Sequence, residues 1–282
     1  MVANPFSTVA TALQVCCQRG LPRLEAQMLV LLACGRNTNQ RAWLLTHDGD
    51  TLTSEQQALL QSALERRLRG EPIAYITGTK EFYGLTLHVD ARVLDPRDDT
   101  ETLVDWALEL LRAQGHPQPR VVDLGTGSGA IALALKSQCP QAQVEAVDAS
   151  VNALDVARAN AQRLGLDVHW RQGSWLQDAQ GRFDLIVSNP PYIAAADPHL
   201  EALRHEPLSA LASGADGLED IRAIIAQSTQ HLLPGGWLLL EHGYDQAEAV
   251  AAHMTASGFT LVQTRHDLAG VARCTGSCWR TG

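Results

Sequence analysis

The sequence predicts an α/β chain: a doubly wound, mostly parallel sheet preceded by a small all-α helical bundle and a β-hairpin linker. Three patterns predict it. The first seventy residues carry apolar positions at helical spacing. The stretch "EFYGLTLHVD" alternates with period two around Gly84, as a hairpin or short extended arm does. From Arg120 onward strand-like and helical runs alternate, the pattern of βαβ units. The expected divisions are residues 1–74 for the bundle, 75–95 for the hairpin linker and 96–282 for the sheet domain.

Within the bundle, "RLEAQMLVLLACG" places Leu24, Met28, Leu31 and Leu32 on one expected face, with Gly35 as the stop. In "TLTSEQQALLQSALERRLRGEP", Thr53 is the expected N-cap and Gln56, three residues on, completes a capping box. Leu59, Leu60, Ala63, Leu64 and Leu68 are the expected apolar face, and Gly70 and Pro72 end the helix. Arg66, Arg67 and Arg69 sit in its last turn, where positive charge complements the helix dipole, so they are read as helix chemistry and not as a nucleic-acid patch. In the second part the strand-like runs are "RVVDLG", "AQVEAVD", "FDLIVSN" and "GWLLLEHG". Between and after them "GAIALALKSQ", "NALDVARANAQRLG" and "LEDIRAIIAQSTQHL" read as helices.

Composition narrows the function classes. The 282 residues are 45% hydrophobic and 19% charged, as in a folded domain with a large core. Of the net charge of −9, residues 1–74 contribute +1 and the remainder −10, the reverse of a nucleic-acid footprint. No apolar run reaches the length of a membrane span, and the N-terminus lacks the basic start and apolar stretch of a signal peptide. A cytoplasmic protein with no membrane partner is expected. Cys16 and Cys17 are adjacent, and Cys274 and Cys278 form a lone C-x3-C without a second ligand pair. Free thiols are the expectation, and no metal site.

Three sites carry candidate chemistry. In "VVDLGTGSGA" a buried strand ends at Asp123-Leu124, and Gly125, Thr126, Gly127, Ser128 and Gly129 lead into a helix. Glycines permit the tight turn and the close approach of a ligand, and the helix N-terminus favours a negative group such as a carboxylate. With Ala130 the run also fits the dinucleotide pattern G-x-G-x-x-A. Asp148 ends the next strand, 23 residues after Gly125, where an acidic residue receives ribose hydroxyls. Together these say nucleoside-containing cofactor without saying which.

The third site is "SNPPYI". A strand that leaves the sheet through Asn189, Pro190, Pro191 and Tyr192 fixes two φ angles and removes two backbone donors in succession. With D-x-G-x-G-x-G after the first strand, this resembles the S-adenosylmethionine-dependent methyltransferases that act on planar nitrogen. Such a nitrogen is a poor nucleophile because its lone pair is delocalised. The Asn189 side-chain oxygen and the Pro190 carbonyl are each expected to accept one N–H, and Tyr192 to pack against the substrate plane. The two prolines then serve preorganisation.

The wider sequence resembles one family, the release factor glutamine methyltransferases (the PrmC/HemK family). The resemblance runs through "RRLRGEPIAYITGTKEFYGL", "VLDPRDDTETLV", "DLGTGSGAIALAL", "AVDAS", "SNPPYI", "EPLSAL" and "GGWLLLEHG". It implies a Rossmann-like S-adenosylmethionine-dependent methyltransferase domain. The implied reaction is direct SN2 methylation of the side-chain amide nitrogen of the glutamine in the Gly-Gly-Gln motif of class 1 peptide chain release factors. It implies cofactor contacts at Gly125, Thr126, Gly127, Ser128, Gly129, Asp148 and Asn189, and adds Trp175, whose indole would pack near the adenine. Asn189, Pro190, Pro191 and Tyr192 would hold the glutamine, and the helical segment would recognise the release factor. Where the family reads L-I-P-R-P-[DE]-T-E, this chain has Asp95 and Asp98, two acidic residues in place of an apolar residue and a proline.

Two rivals stand beside this reading. A nucleic-acid adenine-N6 or guanine-N2 methyltransferase would share the tetrapeptide but calls for a basic groove. A non-catalytic scaffold would keep the fold with broken motifs, whereas Gly125, Asp148 and Asn189 are all present.

Overall fold

The computed structural model describes residues 6–280, and the chain divides into two compact units, residues 1–79 and 80–282. The first unit is helical: α1 (Val9–Gln18), α2 (Arg23–Ala33), α3 (Arg41–Thr46), α4 (Ser54–Leu68) and α5 (Ile73–Thr77). The capping box at Thr53 and Gln56 is formed, each side chain accepting from the other's backbone N–H. The helix faces, however, match the sequence expectation only in part. In α2 the buried residues are Ala26, Leu29, Val30, Leu31 and Ala33, so Leu31 of the expected face is in the core while Leu24 is half exposed. In α4 the core takes Leu60, Ala63 and Leu64 and leaves Leu59 and Leu68 in solvent. The α2 run from Met28 to Ala33 is apolar on nearly every side, so periodicity alone leaves its phase undetermined. The last-turn arginines also have partners: Arg67 pairs with Glu25 of α2 at 2.7 Å and Arg66 with Glu71 at 2.5 Å.

Next in the chain comes a hairpin, β1 (Thr79–Phe82) and β2 (Leu85–His88), all but its first residue in the second unit. Its two turn residues, Tyr83 (φ 50°) and Gly84 (φ 74°), are both left-handed, as a two-residue I′ turn requires. Side chains from later in the chain hold the hairpin. Tyr83 N–H donates to Glu101 at 2.7 Å and its hydroxyl to Asp105 at 2.6 Å, while Asn160 exchanges hydrogen bonds with the His88 backbone.

After the hairpin come α6 (Glu101–Gln114), β3 (Arg120–Leu124), α7 (Ala130–Gln138), β4 (Gln143–Asp148), α8 (Val151–Leu164), β5 (His169–Gln172) and β6 (Phe183–Ser188). The chain continues through α9 (Glu219–His231), β7 (Leu232–Glu241), α10 (Ala247–Ala256), β8 (Thr260–His266) and β9 (Ala272–Cys278). The seven strands lie in the order β5-β4-β3-β6-β7-β9-β8; β9 is antiparallel to both β7 and β8, and every other pairing is parallel.

Four of these strands were expected as apolar runs, and β5, β8 and β9 were not. β5 and β8 are edge strands of polar composition, and β9 reads "ARCTGSC". Yet β9 is almost wholly buried, because Trp106 of α6 lies directly on it: a Cβ on Gly276 would meet that indole at 2.7 Å. The sheet order reverses at β3, whose successors run to β4 on one side and to β6 on the other. A crevice opens at such a point, beyond the carboxyl ends of the strands.

Candidate active site

β3, β4 and β6 end at Leu124, Asp148 and Ser188, with Leu124 in register beside both Val147 and Ser188. The first residues past those ends are therefore neighbours. A cavity of about 510 Å³ lies there, walled by Gly125, Gly127, Asp148, Trp175, Asn189 and Pro191 among others. Six sequence-predicted site residues are thus gathered at one place.

The other five lie behind the wall. The Thr126 hydroxyl donates to Asp123 at 2.6 Å, and the Ser128 carbonyl accepts from Asn160 at 3.0 Å. Gly129 starts α7, where a Cβ would press on Leu133, Ala157 and Trp170. Pro190 is buried, and Tyr192 packs against the core cluster around Phe183 and Ile221.

The glycine turn is built by its own backbone and one buried acid. Gly125 and Thr126 N–H groups both donate to the Val147 carbonyl, at 2.8 and 3.0 Å. Asp123 Oδ2 takes the Thr126 hydroxyl and the Ala132 N–H, clamping the first turn of α7 to the strand end. Full burial pushes the Asp123 carboxyl up to about 7, against the pull of those two donors. Gly127 differs from Gly129: at φ 56° its missing side chain faces open space, so a ligand can meet the backbone there.

Asp148 braces the same turn from β4. One carboxylate oxygen accepts from Gly127 N–H at 2.9 Å, the other from Ser150 N–H at 2.9 Å. Burial raises its pKa, and those two donors oppose the rise. Each oxygen keeps a lone pair for a hydroxyl. Opposite, Trp175 is held at φ 52°, an unusual backbone for a large residue, and its ring packs on Gly125.

At the β6 end the Asn189 Nδ2 donates to the Thr100 hydroxyl at 3.1 Å. Glu241, the last residue of β7, is buried at the neighbouring strand end. With its nitrogen engaged this way, Asn189 has its oxygen left for a ligand. The segment after it is pinned from both sides. The Tyr192 carbonyl accepts from Gln246 at 3.0 Å, and Ile193 exchanges backbone bonds with Leu211 and Ser213.

Thr100 and Glu241 were not expected at this site. They lie 89 residues before and 52 residues after Asn189, and no local spacing joins them. The cavity wall also includes Val93, Leu94, Ser150, Gly173, Ser174 and Pro207, none of them expected as a site residue.

The two departures from the family pattern have separate fates. Asp98 is exposed and pairs with Lys80 at 2.8 Å. Asp95 is buried, its backbone N–H donating to Glu206, and Arg97 bridges Glu206 at 2.5 Å and Asp95 at 3.6 Å. Glycines at a switch-point crevice, an acid at the next strand end and a carboxamide in a rigid turn define this class: a methyltransferase of the α/β type.

Comparison with known proteins agrees. Residues 101–212 match the methyltransferase small domain family, and residues 10–78 the PrmC N-terminal domain. A release factor glutamine methyltransferase of Bordetella pertussis is 50% identical, covering 91% of this chain and 95% of its own. One from Xylella fastidiosa is 46% identical over 97% and 99% of the two chains. Among solved structures, the hMettl16 catalytic domain in complex with a MAT2A 3'UTR hairpin superposes with a TM-score of 0.58 at 16% identity, over 90% of this chain and 91% of that one, a likeness of fold. The chain belongs to the release factor glutamine methyltransferase family.

Proposed function

We propose that this protein methylates the side-chain amide nitrogen, N5, of the glutamine in the Gly-Gly-Gln motif of class 1 peptide chain release factors, with S-adenosylmethionine as the methyl donor. The observation that carries the reading is Asn189: a carboxamide at the cavity wall whose nitrogen is engaged by Thr100, which leaves its oxygen as the acceptor for a ligand. The close relatives bear the same name over nearly their whole length.

The residues present suit this cofactor. The cavity offers a backbone opening at Gly127, a carboxylate at Asp148 for ribose hydroxyls and an indole face at Trp175 for a planar base. S-adenosylmethionine supplies an electrophilic methyl group on a sulfonium, which needs no further activation. The chain's own task is to present the nucleophile. An amide nitrogen is conjugated with its carbonyl, and hydrogen bonds from its NH2 to fixed acceptors hold it in the attacking orientation. Asn189 Oδ1 is one such acceptor and the Pro190 carbonyl is the proposed second. Holding reactants in line replaces entropy otherwise lost at the transition state. The methylated amide releases its extra proton to solvent, so the mechanism uses no general base.

A nucleic-acid substrate is the less favoured reading, since residues 75–282 carry the −10 charge. No helix among the described residues is long and apolar enough to cross a membrane. The six cysteines are free, four of them buried, which suits the reducing cytoplasm where we place the protein.

The deciding experiment is mass spectrometry of a release factor incubated with the protein and S-adenosylmethionine. A single methyl on the Gly-Gly-Gln glutamine is expected, and an unmodified glutamine beside methylated RNA or DNA would refute the proposal. The helical unit is assigned substrate recognition. A chain beginning at Lys80 is therefore expected to bind cofactor normally and to methylate intact release factor poorly; full activity of that chain would remove the role.

A further inference from the structure

One buried carboxylate joins two walls of the cavity and takes no part in the methyl-transfer step. Residues 91–94 form one wall, and Pro207, Ser209 and Ala210 form another. Asp95 and Arg97 follow directly after the first, and Glu206 directly precedes the second. The Glu206 side chain is 2% exposed. Its Oε1 accepts from the Arg97 guanidinium at 2.5 Å and its Oε2 from the Asp95 backbone N–H at 3.2 Å. Both carboxylate oxygens are thus engaged by the other segment, across 109 and 111 residues of sequence.

We infer that Glu206 and Arg97 form a clasp that holds these two walls together around bound cofactor, and that both act as positioning residues for its retention. The inference rests on the reading of this cavity as the S-adenosylmethionine site. A buried ion pair adds little stability over apolar residues of the same volume, and what it fixes is an arrangement. Asp95 shows which arrangement is fixed. Its carboxylate stands 3.6 Å from the same guanidinium, and its Oδ1 is buried without a hydrogen-bond partner. Pairing there would tie Arg97 only to its own segment, two residues away. The short, charge-assisted bond crosses to Glu206 instead.

Both segments lead on to the turn that is proposed to hold the substrate amide. Beyond Arg97 the Thr100 hydroxyl meets Asn189, and beyond Glu206 the Leu211 carbonyl accepts from Ile193 N–H. Those far ends therefore have anchors of their own. Opening the clasp loosens the cavity walls and leaves the Asn189 acceptor in place, so retention of cofactor and the transfer step separate.

The test follows radiolabelled S-adenosylhomocysteine leaving the full-length protein after a chase with excess unlabelled ligand, in the wild type, Glu206→Gln, Arg97→Met and the double variant. Each variant is expected to release it about 10- to 100-fold faster with association nearly unchanged, since affinity differences between related complexes fall mainly on dissociation. The double variant is expected to be no faster than the faster single one, the mark of two residues in one contact. Single-turnover transfer to a Gly-Gly-Gln release factor at saturating S-adenosylmethionine is expected to stay within a few-fold. Arg97→Met strands the buried Glu206 charge and should lower Tm, and adding Glu206→Gln should restore it. A role confined to stability would make release slow again as Tm recovers, whereas the clasp requires release to stay fast. Should Arg97→Met not fold, Glu206→Gln carries the test, because Asp95 remains as a partner for Arg97. A second readout needs no ligand: amide hydrogen exchange is expected to rise in residues 91–97 and 206–211 together in Glu206→Gln, with β3, β4 and β6 unchanged. Wild-type release rates in Glu206→Gln, or exchange that rises in neither segment, would overturn the inference. If the wild type binds no S-adenosylhomocysteine, the cofactor reading fails, and the exchange experiment alone decides whether Glu206 joins the walls.

Discussion

After β3 the chain turns through Gly125, Gly127 and Gly129, each at positive φ, and after β6, the adjacent strand, it turns through Pro190 and Pro191. The first turn is made of residues with the most backbone freedom, the second of residues with the least. The glycine turn holds its shape by hydrogen bonds to Val147, Asp123 and Asp148, and it opens the backbone to a ligand. The proline turn has no such donors to spend, so its stiffness is covalent and what it presents is acceptors. Each turn suits its half of the reaction. A cofactor with carboxylate and hydroxyl groups wants donors and a fixed acid, whereas an NH2 group wants two acceptors that do not move. Substitutions at either turn put this contrast at risk.

The largest effect is expected at the proline turn. Asn189→Ala removes an acceptor from the substrate amide and should lower kcat roughly 10²–10³-fold, by analogy with loss of one oxyanion-hole contact. Cofactor affinity, measured by calorimetry, should hardly change. Asn189→Asp is the more discriminating variant, because it keeps an acceptor, loses the N–H that meets Thr100 and sets a second carboxylate beside the strand end that carries Glu241. Above pH 7 it should be no better than Ala; full activity there would mean that the amide nitrogen has no role.

Next comes the acid of the glycine turn. Asp148→Ala should weaken S-adenosylmethionine binding by about 1.5–3 kcal/mol, the range for hydrogen bonds to a charged group. It should leave kcat at saturating cofactor within a few-fold. Asp148 also accepts from Gly127 and Ser150, so Asp148→Asn, which keeps one acceptor, separates the ligand contact from the brace. Equal affinity in the wild type and the Ala variant would remove Asp148 from the cofactor site.

The buried acids set a third, smaller effect, on stability. Asp123 and Glu241 rise from 3.8 and 4.5 to about 7 on folding, both chiefly through lost hydration. In that interval the folded state binds more protons than the unfolded one. Their contribution is therefore complete below about pH 4 and is lost as the pH climbs through about 7. Thermal unfolding should show Tm falling between pH 5 and 8, with a shallower fall in Asp123→Asn. The carboxylates lowered to about 2, Asp90 and Asp216, act below this window, while His242, lowered chiefly by burial, works in the opposite sense within it, so the difference between the wild type and Asp123→Asn carries the test. A fall no steeper in the wild type than in Asp123→Asn would contradict the sign.

Much of this site was legible because each turn carries its chemistry in consecutive residues. The glycines, Asp148 and the tetrapeptide follow apolar runs, and a parallel sheet brings strand ends to one edge without further information. The residues that support them were not legible. Thr100 reaches Asn189 only through packing of α6 beside β6, and a threonine before a helix carries no local mark of that role. The phase of α2 was hidden for the opposite reason, an excess of apolar residues, so the neighbours chose the face. β9 was missed because its burial is imposed by Trp106 and by two flanking strands, not by its own composition.

The smallest expected effect tests whether covalent stiffness matters beyond the carboxamide itself. Pro191 lines the cavity and is followed by Tyr192, whose carbonyl is already fixed by Gln246. Pro191→Ala restores freedom to φ and adds an N–H, mostly in the unfolded chain. Stability should fall by about 0.4–1 kcal/mol, the ordinary worth of a proline whose native φ is compatible. If the turn is held by its neighbours, kcat should be unaffected, because Gln246, Leu211 and Ser213 keep the segment in place. If preorganisation resides in the ring, kcat should drop further than stability does, with release-factor KM unchanged. The pinned Ile193 and Tyr192 backbone lies downstream of the prolines, and Asn189 is held upstream by Thr100. The Pro190 carbonyl, between those anchors, has the ring of Pro191 as its own restraint. The second outcome is therefore the expected one: a several-fold loss in single-turnover rate at a temperature where both proteins are fully folded. An unchanged rate would show that tertiary contacts alone aim the acceptors, and that the two turns differ in composition more than in principle.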